Sequence, residues 1–182
     1  MREGTAKAII SIGSNIERER NLPEAIRLLR RAPHISVERV SHFYESPSVG
    51  GPEGAPDFFN AAALICTELA PVDLRMALRG IERELDRQRT DDPDAPRTID
   101  LDIAYYGDVE IDHDGWVLPD PQAGTVPHVA VPIAEVAPDW IHPSDGRTTK
   151  QIAEQVGPGE VRIVMAIHLS TTYSPRAPED FD

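Results

Sequence analysis

Two carboxylates separated by one residue, Asp100 and Asp102, stand in the segment Pro96-Arg97-Thr98-Ile99-Asp100-Leu101-Asp102-Ile103. Ile99, Leu101 and Ile103 alternate with them, a pattern that predicts a strand with both aspartates on one face and the aliphatic side chains in a core. The Cα atoms of the pair are then about 7 Å apart. Like charges so placed repel unless a cation lies between them. Oxygen ligands of this kind suit Mg²⁺, which takes one or two carboxylates and shares its other positions with water and substrate phosphate. Arg97, just before the pair, offers a planar fork to a phosphate oxygen. Carboxylates for metal beside arginine for phosphate are the components of phosphoryl transfer. Solvated carboxylates on an exposed sheet face would give the same dipeptide pattern, so the surrounding elements have to decide.

Composition narrows the choice. The chain has 182 residues and a formal net charge of −13, with 40% hydrophobic and 27% charged residues. That balance describes one folded domain with a real core rather than a disordered chain. A net acidic protein lacks the basic face that nucleic acid requires. An anionic ligand must therefore be held by a local arginine cluster or by metal, not by the field of the whole molecule. Cys66 is the single cysteine, so no intrachain disulfide forms. The apolar run at 8–10 is too short for a signal peptide, and no stretch is long enough to span a membrane. A cytoplasmic monomer with small-molecule partners, and with neither nucleic-acid nor membrane partners, is expected.

The elements that must position the acidic pair follow from periodicity. A β-branched strand over 7–12 ends in Gly13-Ser14-Asn15, which are turn residues. Asn21 with Glu24 reads as a capping box opening a helix whose stripe is Leu22, Ala25, Ile26, Leu29 and Ala32, stopped by Pro33. A second strand is predicted over 35–45. The segment 46–56 is too rich in glycine and proline for a regular element, so it is either a mobile loop or a backbone-shaped binding loop. A strand over 58–67 puts Phe58 and Asn60 on one face. Pro71 opens a second helix with Leu74, Leu78, Ile81 and Leu85 as its buried stripe. The acidic strand follows, then a hairpin over 108–118, short helices over 131–136 and 149–156, and a last strand over 161–167. The order predicts an α+β fold, a ferredoxin-like βαββαβ core with additional C-terminal helices and a strand. Residues 1–169 form one domain in this reading, and 170–182 a disordered acidic tail.

The same landmarks, in the same order, resemble the 6-hydroxymethyl-7,8-dihydropterin pyrophosphokinase family. They are Gly13-Ser14-Asn15, the Pro/Gly-rich loop, Asp57-Phe58-Phe59-Asn60-Ala61-Ala62, the arginine-rich run at 81–89, the Pro-Arg-x-Ile-Asp-Leu-Asp-Ile strand and Val131-Pro132-Ile133-Ala134-Glu135-Val136-Ala137-Pro138. The resemblance implies a transferase (kinase class) of folate biosynthesis that moves pyrophosphate from ATP to a hydroxymethyldihydropterin and releases AMP. By that resemblance Asp100 and Asp102 hold two Mg²⁺ ions and, with Arg97, form the catalytic group. Glu82, Arg87, Arg89, Arg97 and Ile103 match nucleotide-binding positions. Ser46, Pro47, Val49, Phe58, Asn60 and His128 match positions around the pterin, where an aromatic platform and an amide suit a flat heterocycle rich in donors and acceptors.

Departures from the family pattern cluster in the later loops. Asp94 stands where the family commonly has tryptophan, Ala95 where it has glycine, and Asp120 where it has histidine. Val126 replaces an arginine expected to bind phosphate, and His128 replaces the second stacking aromatic. Less positive charge near the triphosphate points to altered kinetics. It also keeps open a protein that binds a pterin or nucleotide on this scaffold without turnover, or with an altered substrate. A third reading, a nucleotidyl- or glycosyltransferase using Asp-x-Asp, normally needs a larger nucleotide-sugar domain.

Overall fold

A computed structural model describes residues 4–48, 54, 56–88 and 95–165. The chain forms β1 (Ala6–Ser14), α1 (Arg18–Arg31), β2 (Ile35–Val40), β3 (Phe43–Ser46), β4 (Phe58–Thr67), α2 (Pro71–Glu84) and β5 (Asp100–Tyr106). A hairpin of β6 (Ile111–His113) and β7 (Trp116–Leu118), a 3₁₀ turn (Pro121–Gly124), α3 (Pro127–Val136), α4 (Thr149–Val156) and β8 (Arg162–Met165) follow. The expected final residues of the last strand and the tail over 170–182 lie outside the described residues.

The main sheet is antiparallel, ordered β5-β1-β4-β3-β8, with β2 also pairing β4. The architecture is therefore α+β. Apolar residues of β1 and β4 fill both faces because these strands lie in the middle of the sheet. On one face, Ala8, Ile10, Ile12, Phe59, Ala61, Ala63 and Ile65 pack with Leu22, Leu29, Leu74 and Leu78 of α1 and α2. Each fully buried leucine there contributes about 1.5–3 kcal/mol. On the other face, Ile9, Ala62, Leu64, Ala104 and Tyr105 pack under Val129, Ile133 and Val136 of α3. Helix α3 covers only that half and leaves the rest of the face open.

Three expected boundaries move. Helix α1 starts at Arg18, ahead of the Asn21 cap, and is preceded by Glu17 in the left-handed region at φ 45°. The Asn21 side chain instead donates to the Ile16 carbonyl at 2.7 Å, and Glu24 pairs with Arg27. The strand expected over 35–45 is broken between β2 and β3. There Ser41 N–H donates to the Ala62 carbonyl, while the Ser41 hydroxyl accepts from Ala62 N–H, both at 2.9 Å. A side chain thus stands in for a ladder group and lets the strand bend. Helix α3 begins at Pro127 rather than 131, since proline at the first helical position loses nothing and presets φ. This makes His128 helical. The predicted α2, hairpin and α4 are observed, α4 with a Thr148–Gln151 capping box.

Candidate active site

The open half of the sheet is the floor of a cleft of about 630 Å³. Strand alternation supplies that floor: Ser11 and Gly13 from β1, Phe58 and Asn60 from β4, Asp100 and Asp102 from β5. A Cβ on Gly13 would lie 3.7 Å from Asn60 Oδ1 and 3.9 Å from the Phe58 ring, so a side chain there would fill the space between them. Ser46 and Pro47 close one side, and Val126, Pro127, His128 and Val129 of the α3 start form another wall.

Arg97 occupies the centre. Its Nη1 donates to Asp100 Oδ2 at 2.6 Å, and its guanidinium stands 5.4 Å from the centre of the Phe58 ring. The end of β1 holds the arginine's backbone. Asn15 N–H donates to the Arg97 carbonyl at 3.1 Å, Arg97 N–H donates to Asn15 Oδ1 at 2.7 Å, and the fully buried Ser14 hydroxyl donates to the Thr98 carbonyl at 2.6 Å. Asn60, 5% exposed, donates through Nδ2 to the Ser46 hydroxyl at 2.9 Å. Asp102 is exposed, and Asp100 is partly covered by Arg97.

Of the residues singled out from sequence, Ser46, Pro47, Phe58, Asn60, Arg97, Asp100, Asp102 and His128 line this cleft together. Val49, Arg89 and Asp94 lie outside the described residues. The side chains of three others, Glu82, Ile103 and Arg87, do not line it. Glu82 is 1% exposed and accepts the Leu101 N–H at 3.0 Å. It satisfies an outward-facing donor on β5, an edge strand that would otherwise leave that group unpaired. Ile103 has its side chain in the core at 4% exposure. Because Leu101 turns its N–H to the open edge, the alternation of an antiparallel pair turns the Ile103 main chain to the same edge. Only that backbone faces outward. Arg87 does not line the cleft; its Nη1 donates to the Gln88 carbonyl at 2.8 Å.

Sequence reasoning missed Ser11, Gln122 and the segment Gly159–Val161 as parts of the wall. Ser11 carried a usable signal, since Ile10-Ser11-Ile12-Gly13 alternates with period two and Ser11 pairs with Asp102 in the register. Gln122 and residues 159–161 arrive only through the return of the chain across the sheet.

Two cleft residues have shifted titration. Burial pushes the Asp120 carboxyl up, opposed by the hydrogen bond it accepts from Gln122 N–H and reinforced by the charge of Asp100. Burial pushes the His128 imidazole down, and the positive charge of Arg97 adds to this. Both effects favour the neutral ring, which suits stacking and hydrogen bonding.

The fold and the cleft define an α+β protein whose open sheet face combines two carboxylates and an arginine with an aromatic ring and a buried amide. The sequence profile of the 7,8-dihydro-6-hydroxymethylpterin-pyrophosphokinase (HPPK) family matches residues 9–138. The chain belongs to that family. It is 39% identical over 150 residues to the 2-amino-4-hydroxy-6-hydroxymethyldihydropteridine pyrophosphokinase of Synechocystis sp., covering 82% of this chain and 75% of that protein. To the protein of the same name from Pseudomonas aeruginosa it is 36% identical over 142 residues, covering 78% of this chain and 86% of the other. In fold it is similar to the solved wild-type HPPK-DHPS of Plasmodium falciparum, with a TM-score of 0.63 at 12% identity over 83% of this chain. The match spans 44% of that longer chain.

Proposed function

We propose that the cleft catalyses pyrophosphoryl transfer from ATP to the hydroxymethyl oxygen of 6-hydroxymethyl-7,8-dihydropterin, a step of folate biosynthesis. The observation that carries this reading, within the family, is that acceptor-type and phosphate-type groups share one cleft, with Arg97 only 5.4 Å from the Phe58 ring. Phe58 and His128 offer ring faces to the pterin, Asn60 and Ser46 offer polar groups to its edge, and Pro47 completes that side. Arg97, Arg87, Arg89, the strand edge held by Glu82 and the main chain of Ile103 serve the nucleotide. The hydroxymethyl oxygen bonds to the β-phosphorus. The bond from that phosphorus to the oxygen bridging it to the α-phosphorus breaks, AMP leaves with that oxygen, and the hydroxyl proton is released.

The donor set fits Mg²⁺. Two carboxylates share a face, one of them exposed, and no third His, Cys, Asp or Glu completes a cluster among the described residues. Such a set would leave the metal's remaining positions to water and phosphate. Asp100 and Asp102 would hold the metal, two ions in this reading; when bound, it neutralises charge on the triphosphate. Arg97 both orients Asp100 and presents its fork to phosphate.

The strand order β5-β1-β4, with β2 and β3 on the far side of β4, supports a ferredoxin-like core. One domain over 1–169 and a cytoplasmic monomer belong to the same proposal; no helix among the described residues is long and apolar enough to cross a membrane. A second reading, binding of a pterin or nucleotide without turnover, draws on Asp120 and Val126. They put a half-buried carboxylate and an apolar side chain where the family pattern has histidine and arginine. Incubation with MgATP and 6-hydroxymethyl-7,8-dihydropterin separates the two. Transfer yields AMP and pterin diphosphate in equal amounts, only with both substrates present; binding of both ligands with no AMP supports the second reading.

A further inference from the structure

Asn15 lies just beyond β1, is 3% exposed and does not line the cleft. Its Oδ1 accepts the Arg97 N–H at 2.7 Å, and its Nδ2 donates to the Pro56 carbonyl at 3.3 Å. Pro56 leads into β4, which carries Phe58 and Asn60, and Arg97 leads into β5, which carries Asp100 and Asp102. These strands are not neighbours; β1 separates them. Ladder hydrogen bonds register each strand against β1, but the two leading segments project beyond the paired residues. One buried amide joins them there.

We infer that Asn15 is a positioning residue for the transfer step, setting the acceptor side of the cleft against its phosphate side. The inference rests on the pyrophosphoryl-transfer reading. Each substrate keeps its own contacts without Asn15, since none of those groups is the asparagine itself. What depends on it is the separation of the two subsites. Attack needs the reacting atoms about 3–3.5 Å apart, and a displacement of about 1 Å costs roughly a hundredfold in rate. A residue of this kind changes kcat and leaves both KM values nearly alone.

Two substitutions test this. Asn15→Ala removes both arms of the bridge. Asn15→Asp keeps the acceptor for Arg97 N–H but cannot donate to Pro56. AMP release is measured against ATP and against 6-hydroxymethyl-7,8-dihydropterin with Mg²⁺ present, below the melting temperature of each variant. Asn15→Ala should lower kcat by about 10- to 100-fold, with each KM within about threefold of the parent. Asn15→Asp should show a smaller loss of kcat. Values of kcat within about twofold of the parent in both variants, or a loss confined to the KM of one substrate, would overturn the inference. So would failure of both variants to fold, which would make Asn15 a purely structural residue. An inactive parent would refute the transfer reading itself, and the inference with it; an active parent with unaffected variants would refute the inference alone.

Discussion

Tyr44→Phe should destabilise the protein by a predictable amount without creating a cavity. The Tyr44 ring is buried at 7% exposure, and its hydroxyl donates to Glu135 Oε2 at 2.7 Å. The same carboxylate accepts from His42 N–H at 3.0 Å, and its other oxygen lies 2.6 Å from the His42 ring nitrogen Nδ1. This cluster ties the end of α3 to the bend between β2 and β3. Burial, then the Glu135 hydrogen bond, pushes the Tyr44 phenol up from its ordinary value, so it remains a donor at neutral pH. A hydrogen bond to a charged group contributes about 1.5–3 kcal/mol. The Glu135 side chain is 30% exposed and can recruit water once the hydroxyl is gone. That replacement trims the expected loss to about 1–2 kcal/mol. Phenylalanine fills the ring's volume, so no cavity term is added. At this chain length the melting temperature should fall by about 2–8 °C. Urea unfolding should show a lower midpoint with an unchanged slope. A variant within about 0.3 kcal/mol of the parent would refute the claim that this hydroxyl clips α3 in place.

The remaining expectations concern the cleft. Asp102→Asn and Asp100→Asn should abolish AMP release while the fold persists, because neither side chain is in the core; AMP release at the parent's rate by either variant would remove the metal assignment. Asn60→Ala should weaken pterin binding by about 1–3 kcal/mol and leave ATP binding little changed, since a dry ring edge loses its partner. Equal losses for both ligands in calorimetric titrations would place Asn60 elsewhere. Asp120 should make stability pH-dependent. Its native carboxyl titrates above the unfolded one, so its contribution is fully present below the ordinary aspartate value and is lost as pH rises through the raised native value. Asp120→Asn, which keeps an acceptor for Gln122 N–H, should abolish that slope and gain stability at neutral pH. Parallel stability curves for parent and variant from about pH 4 to 7 would count against it.

The acidic pair and the shared face of Phe58 and Asn60 were legible because strand alternation is a local rule with period two. The buried stripes of α1 and α2 were legible for the same kind of reason. Glu82 shows the limit: its place four residues after Leu78 marks a buried helix position, while its charge argues for the surface. The need of Leu101 N–H for an acceptor settles the conflict, and that need exists only once β5 is an edge. The break at Ser41 carried no glycine or proline to announce it, because the Ser41 hydroxyl and Ala62 N–H meet only in the folded sheet. The start of α1 is a third case. The Asn21–Glu24 signature is locally sound, yet the chain turns earlier, at Glu17, and Asn21 serves the preceding turn. Asp120, Val126 and His128 reach the cleft by a return path across the sheet, which no local pattern encodes.

The register between β1 and β5 shifts once, between Ile9 and Ile10, leaving Ala104 as an extra residue on β5. Ala104 and Tyr105 therefore both face the α3 side, while Tyr106 packs on the other. The strand is written in two phases, with the seam at Ala104. Ahead of the seam, even positions carry chemistry; beyond it, odd positions carry structure. Without the extra residue, strict alternation would turn Tyr105 to the α1 and α2 side together with Leu101 and Ile103. The extra residue thus lets one strand show its carboxylates to the open cleft at one end and Tyr105 to α3 on the same side at the other.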